Sequence, residues 1–294
     1  MTKFLTFVLA LACSFTAPAQ AAESGWHLLN MRQGVTEISR RIYGLHMLIF
    51  WVCVAIAVLV FGFMIYSLIA YRKSKGAVAD TTLVHNTKVE VVWTVVPVVI
   101  LIAMAVPAAR TLVAIEDTRD TQLTIKVTGF QWGWNYEYLD NGVSFFSRLD
   151  RDSDAARRLM SGVDPTTIPN YLLSVDKPLI VPAGTKVRLL ITASDVIHAW
   201  WVPDFGMKKD AIPGFVNEMW FKVDADKTGL YRGQCTELCG RDHAFMPIVV
   251  DVKSPDEFKA WLETTSAAQK QAAAPAPAAP STAQSSSAAV STAG

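Results

Sequence analysis

Charge is what this chain has least of. Only 18% of its 294 residues are Asp, Glu, Lys or Arg, against 51% hydrophobic, and the formal net charge is +1. That balance leans towards a membrane protein, and the near-neutral total offers no basic excess to draw nucleic acid, which is not expected as a partner. Cysteine is scarce too, four in all, and no Cys-x-x-Cys-His run occurs, so no c-type haem is attached. Beyond Ser266 both charge and large apolar residues nearly vanish, leaving Ala, Pro, Ser, Thr and Gln. Such a stretch cannot bury enough surface to offset chain entropy, so 265–294 is expected to be a disordered tail.

What apolar residues there are fall into discrete runs. Phe4 to Ala12 follows Lys3 and precedes the small-x-small site Ala19-Gln20-Ala21. It is too short to span a bilayer, and 1–21 is expected to be a removed signal peptide, which takes Cys13 out of the chemistry. Leu45 to Ala70, apolar apart from His46 and Ser67, and Val89 to Ala109, apolar apart from Glu90 and Thr94, each reach the ~20 residues needed to cross. They are expected to form a transmembrane hairpin, 45–70 and 89–109. In the loop 71–88, Arg72, Lys73, Lys75 and Lys88 oppose a lone Asp80, which places it in the cytoplasm. Arg40, Arg41 and Arg110 pull the other way, but a cleaved signal fixes the N-terminus outside and two spans return the chain there. The segment 22–44 and the domain 110–264 are then exported.

From Thr111 to Glu263 there are 22 acidic and 17 basic residues, a net of −5 (17 − 22). Such a surface can steer a basic protein towards it. Leu123, Ile125 and Val127 alternate with polar residues, and Trp132, Trp134, Tyr136 and Tyr138 continue a period of two. Strand-like runs recur at 179–181, 187–192, 219–223 and 248–252, with turn signals between them. A β-sandwich or barrel follows. Ser254-Pro255-Asp256-Glu257 reads as a capping box that opens a short helix through Trp261, while 142–169 has little periodicity and is read as a long excursion between strands.

Within twelve residues stand Cys235, Glu237, Cys239, His243 and Met246. Thiolate, imidazole and thioether donors packed so closely suit copper better than a hard cation. A single Cys-x3-His-x2-Met run, from Cys239 to Met246, is the pattern of a blue-copper loop. Cys235 changes the reading, because two thiolates on one loop can bridge two ions, and His198 in Ser194-Asp-Val-Ile-His-Ala-Trp-Trp can supply the missing imidazole. Two other readings stay open. A disulfide between Cys235 and Cys239 leaves His243 and Met246 unexplained, and a Cys2His2 zinc site has no use for Met246. No acid and base pair near the cluster suggests a substrate pocket, so the domain is expected to move electrons.

Four runs in order resemble subunit II of bacterial cytochrome c oxidase of the CuA-containing, aa3 type, over about residues 25 to 263. They are the Cys loop Gly233 to Pro247, the Asp195-Val-Ile-His-Ala-Trp run, the aromatic run Gly129 to Tyr138, and His85 to Pro97 at the start of the second span. The resemblance implies an all-β, cupredoxin-like Greek-key sandwich or barrel, anchored by the two-helix hairpin and lying on the periplasmic side of the bacterial inner membrane. It implies a binuclear copper centre, CuA, with His198, Cys235, Cys239, His243 and Met246 as side-chain ligands and Glu237 ligating through its backbone carbonyl. The Glu237 carboxylate would reach a magnesium ion shared with subunit I. Trp132 aligns with the aromatic residue that receives electrons from cytochrome c, and Glu90 with a carboxylate at the mouth of the K proton pathway of subunit I. The implied partners are subunit I, the other oxidase subunits, cytochrome c and the membrane; the implied reaction is reduction of O2 with proton translocation, carried out mainly in subunit I.

Rival classes leave different marks. Quinol oxidases keep the fold but lose the copper ligands, all of which are present here. Membrane-anchored copper-delivery proteins use Cys-x3-Cys with a distant His in a βα frame, and a single-copper electron carrier would have no need of Cys235. Nitrous oxide reductase would need a second, histidine-rich copper domain, which five histidines cannot build.

Overall fold

In this computed structural model, residues 29–78, 81–82 and 84–273 are described. The expected signal peptide 1–21, with Cys13, and the chain beyond 273 lie outside them. Two long helices come first, α1 at Glu37–Ala70 and α2 at Thr87–Ile115. Both are long and apolar enough to cross a membrane, and their most apolar stretches are not buried inside the molecule. Such surfaces suit lipid, where a helix satisfies its own backbone. Pro97 and Pro107 interrupt the bonding of α2; Thr94 and Thr111 turn their hydroxyls back to the carbonyls of Glu90 and Pro107, each at 2.9 Å.

Both helices overrun the expected spans towards the β-domain. α1 begins at Glu37, eight residues before the span expected from Leu45, so residues 37–44 of the segment expected to be exported are helical. Its N-cap is Thr36, whose side chain accepts the Ser39 N–H while the Ser39 hydroxyl accepts the Thr36 N–H, both at 3.0 Å. The same Thr36 hydroxyl donates to the Phe205 carbonyl at 2.9 Å, and Val35 bonds both Asp204 and Asp224 through the backbone. Arg40 closes an ion pair with Asp224. Gly206 makes this seat possible: its φ is +79°, and a Cβ there would stand 2.7 Å from Ser39 Cα. α2 runs on to Ile115 rather than Ala109, and the Trp220 indole donates to the Ala114 carbonyl at 3.3 Å.

The β-domain holds ten strands: β1 Leu123–Phe130, β2 Gly133–Tyr138, β3 Val143–Ser147, β4 Leu179–Pro182, β5 Val187–Ala193, β6 His198–Trp201, β7 Lys208–Ala211, β8 Asn217–Phe221, β9 Gly229–Gln234 and β10 Pro247–Lys253. One sheet runs β3-β2-β1-β5-β8, a second β4-β10-β9, and β6-β7 forms a ribbon. Period-two alternation buries Leu123, Ile125 and Val127 from β1 and Val187, Leu189 and Ile191 from β5. β1 and β5 are parallel, Ile125 opposite Leu189, and β4 is parallel to β10. The chain therefore crosses from sheet to sheet between β3 and β4, back between β4 and β5, and again between β8 and β9, and both sheets contribute to one core. Tyr138 ties them together, its hydroxyl donating to the Ile180 carbonyl at 2.6 Å and accepting the Ile180 N–H at 3.1 Å.

Several boundaries differ from the sequence expectation. Trp132 lies in the β1–β2 turn and breaks the aromatic period, while Trp134, Tyr136 and Tyr138 keep it and are fully buried. The excursion 142–169 contains β3 and a short helix α3, Arg151–Ala156; β3 is held by pairing to β2, Tyr136 opposite Phe145. The last helix, α4, runs Pro255–Ala273, past Trp261 and into the stretch expected to be disordered. Trp261 packs on Tyr138 with ring centroids 5.3 Å apart, and the Gln269 side chain bonds both the N–H and the carbonyl of Ser144 in β3. Alanine-rich sequence then propagates the helix from those anchors.

Candidate metal centre

His198 opens β6, and the Cys loop joins β9 to β10. The two meet because the Thr236 N–H bonds the Ala199 carbonyl at 3.1 Å and the Cys235 N–H bonds the Met246 carbonyl at 3.0 Å. His198, Cys235, Cys239 and Met246 are buried, His243 is half-buried and Glu237 is exposed. The donor atoms of His198, Cys235 and Cys239 all lie within 4.8 Å of one another. Each sulfur has its own imidazole: His198 Nδ1 is 3.9 Å from Cys235 Sγ, and His243 Nδ1 is 3.5 Å from Cys239 Sγ. The two sulfurs stand 3.9 Å apart, and the Glu237 carbonyl oxygen is 3.4 Å from Cys235 Sγ. A convergent set of two soft thiols, two imidazoles and a carbonyl, with a buried methionine on the same loop, has the donor chemistry of copper.

Around these donors runs a clamp the sequence did not announce. The Asp195 carboxylate accepts His198 Nε2 at 2.9 Å, the Gln131 N–H at 2.6 Å and the Val196 N–H at 2.7 Å. With Nε2 bonded to Asp195, Nδ1 is the ring nitrogen turned towards Cys235. The Gln131 side chain reaches the Cys239 carbonyl at 2.8 Å, so one residue touches both the His198 orienter and the second cysteine. Gly129 leaves room for the ring, since a Cβ there would lie 2.9 Å from His198 Cδ2.

The electrostatics follow from that packing. Burial alone would raise the Asp195 carboxyl, but the bonds from His198, Val196 and Gln131 outweigh it and hold the group below the usual carboxylate range. Burial lowers His198, while bonding to Cys235 and Asp195 raises it further, for a net rise. Burial raises the Cys235 thiol, but His198 and nearby backbone N–H groups bring it below its ordinary value. Cys239 is pushed up to about 12 by burial and then by the charge on Cys235. The two thiols are thus pushed in opposite directions.

Of the two tryptophans that the sequence could not tell apart, Trp134 is wholly buried with its ring 6.0 Å from His198, whereas Trp132 is half-buried and its indole N–H donates to the Cys239 carbonyl at 3.3 Å. Arg241 lies over the Trp132 ring at 5.7 Å. Glu90 belongs to another place. It sits in the first turn of α2, where its carboxylate accepts the Asn86 N–H at 3.1 Å, and the helix separates it from Ile115 by about 38 Å of axial rise. Nothing in the sequence marks Asp195 or Gln131 beyond their spacing, three residues before His198 and one before Trp132.

A membrane-anchored β-sandwich with a buried His/Cys metal site at the junction of β6 and the β9–β10 loop defines the class of protein. The chain matches the family models for the periplasmic domain of cytochrome c oxidase subunit II over residues 123–253 and for the transmembrane domain of the same subunit over residues 24–110. It is 35% identical over 236 residues to cytochrome c oxidase subunit 2 of Cereibacter sphaeroides, covering 78% of this chain and 77% of that one. To the Arabidopsis thaliana subunit 2 it is 36% identical over 247 residues, 84% of this chain and 92% of that one. The crystal structure of the periplasmic domain of subunit II of cytochrome oxidase from Bradyrhizobium japonicum is 44% identical, with a TM-score of 0.43, over 52% of this chain and 98% of that one. The chain belongs to the cytochrome c oxidase subunit II family, and so to an oxidoreductase complex.

Proposed function

We propose that this chain receives electrons from cytochrome c at a binuclear CuA centre and passes them to subunit I of its oxidase. The observation that carries the reading is the pairing of two neighbouring cysteine sulfurs, each with its own imidazole Nδ1, on donors that are nearly all buried. His198, Cys235, Cys239, His243 and Met246 would hold the coppers through side chains, and Glu237 through its carbonyl. A copper pair held there would supply a one-electron acceptor that takes up and releases its electron with little rearrangement. The chain's own part is to keep the donors still. β6 and the β9–β10 loop are locked by backbone bonds, and Asp195 fixes the ring of His198.

Trp132 is the residue at which we expect electrons to arrive, because it is half-exposed and its N–H bonds to the peptide of a proposed ligand. The Glu237 carboxylate is exposed and has no protein partner among the described residues, which suits one ligand of a magnesium ion shared with subunit I. Glu90, at the opposite end of α2 from the β-domain, suits the cytoplasmic mouth of a proton pathway, although its bond to Asn86 also gives it a capping role. In this reading 45–70 and 89–109 span the bacterial inner membrane, 71–88 is cytoplasmic and 110–264 is periplasmic.

Copper stoichiometry and electron paramagnetic resonance on the purified, copper-loaded and oxidised chain test the centre. The expected result is two coppers per chain with a seven-line hyperfine pattern, and loss of that pattern in Cys235→Ser. One copper with four lines in the unaltered chain would move the reading to a single-copper carrier or a copper-delivery protein.

A further inference from the structure

The two proposed imidazole ligands are held by different means. His198 is buried with its Nε2 bonded to Asp195, whereas His243 is half-buried and its ring meets only Cys239 Sγ among the described residues. Backbone is what places His243. It opens a single 3-10 turn, His243–Phe245, where the His243 N–H bonds the Gly240 carbonyl at 3.2 Å and the Phe245 N–H bonds the Asp242 carbonyl at 2.9 Å. Met246 follows that turn directly. One turn closed by two bonds is a weak frame on its own.

Arg157 grips both ends of that turn from outside the Cys loop. Its guanidinium bonds the Asp242 carboxylate, one residue before His243, at 3.4 Å and lies over the Phe245 ring, two residues after it, at 4.3 Å. Asp154, in α3, holds the same guanidinium at 2.7 Å. The side chains of Arg157 and Asp242 are only 24% and 15% exposed, so solvent screens their pairing less than it screens a surface ion pair. α3 is itself seated: the Asp150 side chain accepts the Asp152 and Ser153 N–H groups, and the buried Ser153 hydroxyl accepts the Leu172 N–H at 3.3 Å. Further along, Arg232 of β9 bonds the Leu173 carbonyl and the Ser174 hydroxyl. The connection between β3 and β4 is thus fastened to the strand that enters the Cys loop and to the turn just before the loop leaves it.

From this we infer that Arg157 is a positioning residue for His243 and Met246, clamping the turn that carries one proposed copper ligand and precedes the other. It does for His243 through the backbone what Asp195 does for His198 through the ring. The long connection, which has no apolar period of its own, thereby brings a half-buried guanidinium against the Cys loop. The contact calls for a planar cation that bonds a carboxylate at its edge and covers a ring with its face, which lysine cannot do at once. Arg158 is an internal comparison: it pairs with the same Asp154 at 2.7 Å, but it is 71% exposed and has no bond to the Cys loop among the described residues. The inference rests on the proposed copper centre.

Two measurements on the full chain in detergent test it. The first is hydrogen exchange by mass spectrometry on the reduced, metal-free chain, which needs no copper. In Arg157→Gln, residues 240–247 should exchange about 10-fold faster, with β1 and β5 unchanged. Arg157→Lys should fall between, and Arg158→Gln should match the unaltered chain. The second is release of copper from the loaded chain to a chelator, read beside its paramagnetic resonance spectrum. Arg157→Gln should release copper about 10-fold faster and alter the hyperfine splitting. Asp242→Asn should do the same, and the double variant should lose little more than either single one, because both remove one contact. Unchanged exchange in 240–247 overturns the inference, as does unchanged copper release with an unchanged spectrum. An equal effect of Arg158→Gln, or faster exchange spread over β1 and β5, also overturns it by making Arg157 a general support of the fold. Failure of the unaltered chain to bind copper would instead refute the centre, and the exchange result would still decide whether Arg157 holds the turn.

Discussion

Asp195 accepts three N–H groups on its two oxygens, the ring of a proposed ligand among them. Asparagine at this position can still accept on one side but must turn an NH2 towards donors on the other. Asp195→Asn is therefore expected to lower copper affinity by about 10–100-fold, the usual cost of removing a histidine's outer partner. Competition with a chelator reads this directly, with the fold checked by circular dichroism; unchanged affinity would mean that burial alone orients His198. The proposed ligands were legible from sequence because four sit on one loop at fixed spacing, and His198 filled a gap in that set. Asp195 and Gln131 were not, because an acid or amide near a histidine is common and its bond exists only once β1 and β6 have come together. Trp132 and Trp134 also looked alike in the sequence. The turn separates them: β1 ends at Phe130 and β2 begins at Gly133, so Trp132 falls between the strands and Trp134 within one.

Among the elements, strands with strong alternation were readable and strands defined by pairing were not. β1, β5 and β10 carry their apolar periods openly, whereas β7 is Lys-Lys-Asp-Ala and exists as a strand through its pairing with β6, Trp200 opposite Lys209. The start of α1 was hidden for a similar reason. Thr36 reads as an ordinary polar residue, yet it caps the helix and bonds the Phe205 carbonyl while fully buried. Thr36→Ala should cost about 1–2 kcal/mol from the lost cap, visible as a lower midpoint in chemical denaturation of the detergent-solubilised chain; Thr36→Ser should recover most of it. The edge strand β8 offers a second handle. The Arg188 side chain in β5 bonds Glu218 in β8 and lowers its carboxyl below the ordinary value. Below the ordinary range the unfolded chain binds the proton more readily than the folded one, so this stabilisation is complete above the unfolded value and fades as pH falls through the folded one. For a pair this exposed the contribution is under about 1 kcal/mol. Glu218→Gln should lower stability in the neutral region by under about 1 kcal/mol and leave the most acid end nearly unmoved, so that the acid limb flattens, and an unchanged acid limb would assign that slope to other carboxylates.

At the scale of the whole molecule, the anchor and the β-domain are joined stiffly. α1 is 34 residues long, about 51 Å of helix, against a hydrocarbon core of about 30 Å. The excess is not a free linker, because its first turn is seated on Asp204, Phe205 and Asp224, and the end of α2 is tied to Trp220. Both attachments lie at the same end of the hairpin, so the metal centre is held at a fixed height on one side of the membrane, and the short connection 71–86 must emerge on the other. Charge decides which side is which. Arg72, Lys73 and Lys75 crowd the connection, and positive residues of short loops stay in the cytoplasm, which predicts that the β-domain lies outside. Single cysteines at Lys73 and at Leu238, an exposed position on the Cys loop, make this testable with a membrane-impermeant maleimide, in a background where Cys53 faces the apolar surroundings of α1. In intact spheroplasts Leu238→Cys should label and Lys73→Cys should not, and permeabilisation should expose both. The reverse pattern would put the proposed copper centre in the cytoplasm, out of reach of an exported cytochrome, and would break the link between the site's geometry and the function proposed for it.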